Sequence, residues 1–185
     1  EFVIVDGTLE ISKRTVTLTS ADDEKVYDGT ALTNSTVTAG GDGFAEGEGA
    51  TYDVTGTITE VGETANAFTY TLNEGTKADN YTITKVEGTL TVTELTDKVT
   101  VTITEKSGSE KYDGKEKTVA GYDVKISNEL YTVDDFTFSG EATVKGTDAG
   151  SYNMELKPAD FTNTNKNFKN VEFVIVDGTL EISKR

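Results

Sequence analysis

The stretch Val-Thr-Val-Thr-Ile-Thr, residues 99–104, alternates β-branched apolar side chains with threonine. Stretches of the same kind stand at residues 15–19 (TVTLT) and 89–93 (TLTVT). Successive side chains of a strand point to opposite faces, so a period of two is typical of an antiparallel strand with one face on a core and the other in water. No window has the pattern of an amphipathic helix of ten or more residues. The chain is therefore predicted to be all-β.

Asp-Gly pairs punctuate these alternating stretches. Glycine adopts a positive φ at little cost and aspartate tolerates left-handed backbone, which suits the pair to the tight turn of a β-hairpin. The sequence therefore predicts short strands joined by such turns. The pairs are Asp6-Gly7, Asp28-Gly29, Asp42-Gly43, Asp113-Gly114 and Asp177-Gly178.

One segment occurs twice, because EFVIVDGTLEISKR stands at residues 1–14 and again at 172–185. A strand-like segment at both positions is expected when a tandem array is cut one segment before a repeat boundary. Residues 1–14 are accordingly interpreted as the terminal strand of an upstream repeat. Arrays of stacked supersecondary units are typically scaffolds, which favours a mechanical role.

The rest of the chain divides into two related halves, an acidic β module at residues 15–97 and a second β module at 98–185. KVYDG (25–29) matches EKYDG (110–114), and EGTL (87–90) matches DGTL (177–180). The junctions leave almost no linker, so the modules are expected to stack end to end as an elongated pair. An immunoglobulin-like sandwich and a β-grasp-like sheet with a vestigial helix both remain open, and both modules should share the answer.

Composition excludes several function classes. The 185 residues include no Cys, His or Trp, which removes thiolate nucleophiles, the Ser-His-Asp arrangement and most zinc sites. A glycosidase with a carboxylate pair remains chemically possible, but its cleft normally contains tryptophan, so no enzymatic activity is expected. The net charge of −16 repels phosphate backbones and anionic lipids, so neither nucleic acid nor membrane is an expected partner.

The repeated motifs resemble those of the YDG-type, also called MBG-type, repeat domains of very large bacterial cell-surface and adhesin-like proteins. The resemblance covers nearly the whole chain and implies β-rich stalk modules of the extracellular surface or cell wall, without catalysis and with neighbouring repeats as partners. It depends on the order and spacing of KVYDGTALT (25–33), KYDGK (111–115), GTDAGSY (146–152), DNY (79–81) and GTLEISKR (178–185).

The most site-like residues are the two Tyr-Asp-Gly turns, which are formed by Tyr27, Asp28 and Gly29 and by Tyr112, Asp113 and Gly114. We expect each tyrosine ring to pack at the edge of the core while the aspartate caps the turn. The alternative is that loops near Tyr27 and Tyr112 bind a host glycan or a host protein, which would make the modules themselves adhesive.

No cofactor is predicted. Calcium is a minor alternative at the acidic stretches Asp22-Asp23-Glu24 and Asp134-Asp135, because Ca²⁺ prefers carboxylate and carbonyl oxygens. A second minor alternative is a self-forming isopeptide bond, of the kind known from some stalk domains. It would join Lys25 or Lys111 to Asn80 or Asn167.

The first segment has a further consequence, because Phe2, Ile4, Leu9 and Ile11 would lack the strands that cover them in an intact array. An apolar strand without a partner recruits another strand. We therefore expect it either to dock on the leading strand of the first module or to pair with a second copy by strand exchange.

Overall fold

The alternating stretches form strands with the expected burial. In the computed structural model, which describes residues 2–185, Val99, Val101 and Ile103 are fully buried while the threonines between them are partly exposed. Strands make up 49% of the chain and 3-10 helix 5%, so the all-β prediction is confirmed. The chain divides into two compact units that meet between Thr93 and Glu94, four residues before the predicted boundary.

Unit 1 extends to Thr93. Its elements in the described residues are β1 (Arg14–Ser20), β2 (Asp23–Val26), β3 (Val37–Gly41), β4 (Ala50–Val54), β5 (Gly62–Ala65), β6 (Phe68–Leu72), a 3-10 turn (Ala78–Asn80), β7 (Tyr81–Val86) and β8 (Thr89–Thr93).

Unit 2 covers Glu94–Arg185. Its elements are β9 (Val99–Glu105), β10 (Gly108–Lys111), β11 (Lys117–Ala120), β12 (Tyr122–Ile126), a 3-10 turn (Val133–Asp135), β13 (Phe136–Phe138), β14 (Thr143–Gly146), β15 (Gly150–Asn153), a 3-10 turn (Pro158–Asp160), β16 (Phe161–Asn163), β17 (Val171–Val176) and β18 (Thr179–Ser183).

The two units share one strand topology. In unit 1 the sheets have the orders β3-β1-β7, β2-β8-β5 and β4-β6. In unit 2 the corresponding orders are β12-β9-β17, β10-β18-β15 and β13-β16. The isolated bridge between Leu32 and Ile58 in unit 1 stands where unit 2 has the pair β11-β14. Both halves of the sequence therefore encode the same pairing scheme.

The first and last strands of each unit are parallel neighbours. In unit 1, β1 pairs with β7 and β2 pairs with β8, and both pairs are parallel. In unit 2, β9 pairs with β17 and β10 pairs with β18, and these pairs are parallel too. The expectation that the alternating strands are purely antiparallel is wrong for β1, β8 and β9, because each of them has one parallel and one antiparallel neighbour. An immunoglobulin sandwich has antiparallel sheets only, and the described residues contain no α-helix that could be the vestigial helix of a β-grasp.

The hairpin interpretation of the Asp-Gly pairs is also wrong. In the described residues no strand pairs with the strand that follows it in sequence, so none of these dipeptides closes a hairpin. Alternation of side chains is the same in parallel and antiparallel strands, and it therefore does not report which strand becomes the partner.

Each unit has its own core. In unit 1, Val16, Leu18, Phe68 and Tyr81 form a buried cluster against which partly buried residues such as Tyr52 pack. The core of unit 2 contains a group of aromatic rings that meet at centroid distances of 4.9 to 6.4 Å. These rings are Tyr122, Tyr131, Phe136, Phe138, Phe161, Phe168 and Phe173.

Residues 2–13 form no strand. The side chains of Phe2, Ile4, Leu9 and Ile11 are 101, 87, 89 and 87% exposed. The docking expected for these residues on the leading strand of the first module is therefore not observed: β1 already has β3 on one side and β7 on the other. Pairing with a second copy stays a prediction.

Candidate functional site

Both units contain a long parallel ladder between their opening and closing strands, and this ladder is the most extensive feature that they share. In unit 1 the ladder runs from Arg14 opposite Tyr81 to Thr19 opposite Val86, and continues in β2 and β8. The separation in sequence between paired residues is the same in the β1–β7 ladder and in the β2–β8 ladder. β1 and β2 therefore act as one bent strand that passes from one sheet to the next, and β7 and β8 form a second bent strand beside it. Unit 2 repeats the arrangement.

A buried polar contact holds the point in unit 1 where the two bent strands change sheets. The Ser20 hydroxyl accepts a hydrogen bond from the Gly88 N–H (2.9 Å) and donates to the carbonyl of Asn66 (2.6 Å). The Asn66 side chain is fully buried, and its amide nitrogen donates to the carbonyls of Ala21 (3.0 Å) and Asn34 (2.9 Å). We call this point the crossover.

Unit 2 builds its crossover with a carboxylate instead of a hydroxyl. Glu105 is 3% exposed, and its two oxygens accept hydrogen bonds from the N–H groups of Leu156 and Gly178, each at 2.7 Å. Buried carboxylates are stable only when hydrogen-bonded or paired. Glu105 therefore ties the loop before the last 3-10 turn to the bend between β17 and β18.

Each crossover requires a glycine because no β carbon would fit there, and not because the backbone has a positive φ. A β carbon on Gly88 would lie 2.5 Å from the carbonyl oxygens of both Ser20 and Ala21. In unit 2 a β carbon on Gly178 would collide with the carbonyls of Glu105 and Lys106. The Asp-Gly and Glu-Gly pairs at these positions therefore allow two backbones to approach closely.

The first Tyr-Asp-Gly turn ends the parallel ladder of unit 1. The N–H of Tyr27 donates to the carbonyl of Thr93, the last residue of β8 (2.9 Å), and the Tyr27 ring is 9% exposed. Asp28 accepts hydrogen bonds from Lys25 Nζ (2.6 Å) and from the N–H and hydroxyl of Thr30. These bonds, led by that from Lys25, lower the pKa of Asp28 to about 2. Gly29 has a φ of 76°, which only glycine adopts freely.

The second turn has the same place in unit 2. The N–H of Tyr112 donates to the carbonyl of Ser183 (2.9 Å). Asp113 accepts from Lys117 Nζ (2.9 Å) and from the N–H of Lys115 (3.0 Å), and these bonds, first that of Lys117, lower the pKa of Asp113. Gly114 has a φ of 77°. The Tyr112 ring differs from that of Tyr27, because it is 38% exposed.

The acidic stretches use their oxygens within the protein. In residues 22–24, Asp22 Oδ1 accepts the N–H of Thr89 (2.7 Å). In residues 134–135, the second aspartate accepts from Asn165 Nδ2 (2.8 Å). Among residues 2–185 no group of three or more His, Cys, Asp or Glu side chains is arranged to hold a metal ion. Calcium binding at these stretches remains a proposal without a preformed site.

The residues considered for an isopeptide bond lie in unlike environments. Lys25 Nζ is bonded to Asp28 and Thr30, and Asn80 is exposed. In unit 2 Asn167 is buried, whereas Lys111 is exposed. The reaction needs a lysine buried beside an asparagine, and neither pair supplies that geometry.

Sequence reasoning missed the crossover residues Ser20, Asn66 and Glu105. A signal for two of them was present in the alternating strands. Ser20 continues the inward-facing series of Val16 and Leu18, and Glu105 continues that of Val101 and Ile103. A polar residue at an inward position needs a buried partner, and that break in the pattern marks the point where the strand changes sheets.

Comparison with known proteins gives a match in the second unit. The family model described as MBG domain matches residues 99–184. No curated protein and no solved structure matches the chain. None of the helices in residues 2–185 has the length and apolar character needed to cross a membrane. The resemblance deduced from the Tyr-Asp-Gly motifs is confirmed for this stretch, and MBG domains are a non-catalytic repeat family typical of surface proteins.

Proposed function

We propose that both units are non-enzymatic structural repeats in the stalk of a bacterial cell-surface, adhesin-like protein, because residues 99–184 match the family model described as MBG domain. In this role they project a distal binding region from the cell and resist tension along the chain. Their working environment is extracellular, and their immediate partners are neighbouring repeats.

The observation that supports this proposal is the parallel ladder between the opening and closing strands. The chain enters unit 1 at the start of β1 and leaves it at the end of β8, and these points lie at opposite ends of the ladder. A strand rises about 3.3 Å per residue, so the ladder from Arg14 to Val26 is about 40 Å long.

Tension on the chain acts on this ladder in shear. The two strands are pulled in opposite directions along their own axes, and the hydrogen bonds between them share the force. A hairpin pulled at its open end instead loses its bonds one at a time. The crossover contributes to the same resistance, because the buried bond from Gly88 to Ser20 must break before the strands slide.

The test is single-molecule pulling with two attachment geometries on the full chain. The chain has no cysteine, so introduced thiols are unique handles. Thr15→Cys with Thr93→Cys places the handles at opposite ends of the ladder, whereas Thr15→Cys with Thr82→Cys places them on paired residues at one end.

We expect a clearly higher unfolding force for the first geometry. The 79 residues from Thr15 to Thr93 extend to about 275 Å, so rupture should lengthen the tether by about 235 Å once the folded span of about 40 Å is subtracted. Equal forces in the two geometries would contradict the mechanical reasoning. Binding of the isolated pair to glycans, abolished by changes at Tyr112, would instead favour an adhesive module.

A further inference from the structure

The first and last segments of the chain are identical in sequence but differ in environment. Residues 172–185 supply β18 and all of β17 except its first residue, Val171. In β18, Leu180 is fully buried and Ile182 is 3% exposed. Their counterparts in the first copy, Leu9 and Ile11, are 89 and 87% exposed. One sequence therefore occurs once as a buried strand pair and once as an exposed segment.

The place that residues 172–185 fill in unit 2 is a slot with three partner strands. β17 pairs with β9 from Val171 opposite Val99 to Val176 opposite Thr104. β18 lies between β10, which is parallel to it, and β15, which is antiparallel. The slot is defined by these three strands, and its ladders fix the register of whatever segment occupies it.

Side chains make the slot specific for this sequence. Phe173 packs on the rings of Phe136 (5.4 Å between centroids) and Phe161 (5.6 Å). Glu105 accepts the N–H of Gly178, and no residue larger than glycine fits there. A competing segment must therefore place an aromatic residue, a glycine and two apolar residues at fixed spacing.

The first segment meets each of these requirements. Phe2 corresponds to Phe173, Gly7 to Gly178, and the pair Leu9 and Ile11 to the pair at 180 and 182. We propose that residues 2–12 are a donor segment, which completes unit 2 of a second copy of this chain when the closing strands of that copy are displaced or damaged. The inference concerns association and is independent of the mechanical role.

The identity of the two segments also sets the balance of the exchange. A donor segment that enters the slot buries the same side chains that the displaced segment exposes, so the wild-type exchange gains no contacts. The resident segment is favoured by its covalent attachment, which corresponds to an effective concentration in the millimolar range. Weakening the resident segment alone should therefore shift the equilibrium to the donor of another copy.

The test uses matched substitutions in the full chain. Ile182→Asp damages the resident segment, and Ile11→Asp makes the same change at the same place in the donor. Each variant is refolded from denaturant at concentrations from about 1 to 500 μM, its mass is measured by light scattering, and the folding of unit 2 is followed by NMR.

Ile182→Asp should form oligomers in which unit 2 is folded, at concentrations at least about 100-fold below those needed for the wild type. Ile11→Asp should stay monomeric and fully folded. The double variant should be monomeric with unit 2 unfolded. A monomeric Ile182→Asp chain at every concentration, or equal association of the double variant, would overturn the proposal.

An experiment with a peptide tests whether Ile182→Asp simply prevents unit 2 from folding. The synthetic peptide EFVIVDGTLEISKR, added to the double variant, should bind one to one and restore the unit 2 signals in a dose-dependent way. The same peptide with aspartate at its eleventh position should not. Failure of the unchanged peptide to restore unit 2 at millimolar concentration would also overturn the proposal.

Discussion

Replacing Gly88 by alanine should severely destabilise unit 1. The added β carbon would lie 2.5 Å from two backbone carbonyl oxygens, those of Ser20 and Ala21. Backbone atoms do not rotate away as a side chain does, so the bent strands must separate by somewhat less than 1 Å at the crossover. Overpacking of this kind costs about 1–3 kcal/mol.

The separation also stretches two buried hydrogen bonds. The N–H of Gly88 donates to the Ser20 hydroxyl, and its carbonyl accepts from the N–H of Asn66 (2.7 Å). Leaving a buried polar group without its partner costs about 1–3 kcal/mol. The two effects together predict a loss of about 2–6 kcal/mol, which is a large share of the roughly 4–12 kcal/mol expected for a unit of this size.

Urea denaturation of the full chain, followed by NMR, measures this loss, and unit 2 is an internal reference because it contains no changed residue. Gly40→Ala is the matched control in a neighbouring strand: its β carbon would meet only the Thr17 carbonyl, at 3.8 Å, and should change stability by less than about 0.5 kcal/mol. If Gly88→Ala unfolds at the same urea concentration as Gly40→Ala, the account of the crossover is wrong.

The remaining predictions concern the charged residues of the two ladders. Glu105→Ala leaves the N–H groups of Leu156 and Gly178 without their acceptor and should cost unit 2 about 2–5 kcal/mol in urea denaturation, whereas Glu105→Gln keeps one acceptor and should cost clearly less. Asp28 has a folded pKa of about 2, below the usual 3.8, so its contribution to stability is complete above about pH 4 and is lost as the pH falls towards 2. Asp28→Asn should therefore reduce the acid-dependent loss of unit 1 stability between pH 4 and 2, measured as melting temperature; an unchanged pH profile would contradict this.

The sequence predicted those features that depend on local pattern. Alternation of valine and threonine located the buried strands, and recurrence of the Tyr-Asp-Gly motif pointed to two copies of one fold. The turn at Asp28 and Gly29 has the positive φ that glycine provides. Such features need only the side chain, its neighbours and the backbone between them.

Features that depend on distant partners were not predictable from the pattern. The dipeptide at Asp177 and Gly178 has the same letters as that at Asp28 and Gly29, yet it allows close approach of another strand instead of forming a turn. Leu9 and Leu180 are in identical sequence contexts, and only the second has strands to pack on. Pairing partners are set by the chain as a whole, and a local window contains no record of them.

The parallel ladder also has a consequence for biosynthesis. It joins residues that are far apart in the chain, such as Arg14 with Tyr81 and Val99 with Val171, and contacts of long sequence separation form slowly. The closing strand is the last part of each unit to be synthesised, and the opening strand has no parallel neighbour until it emerges. The parallel ladder of a nascent repeat therefore cannot close until nearly the whole repeat has been synthesised.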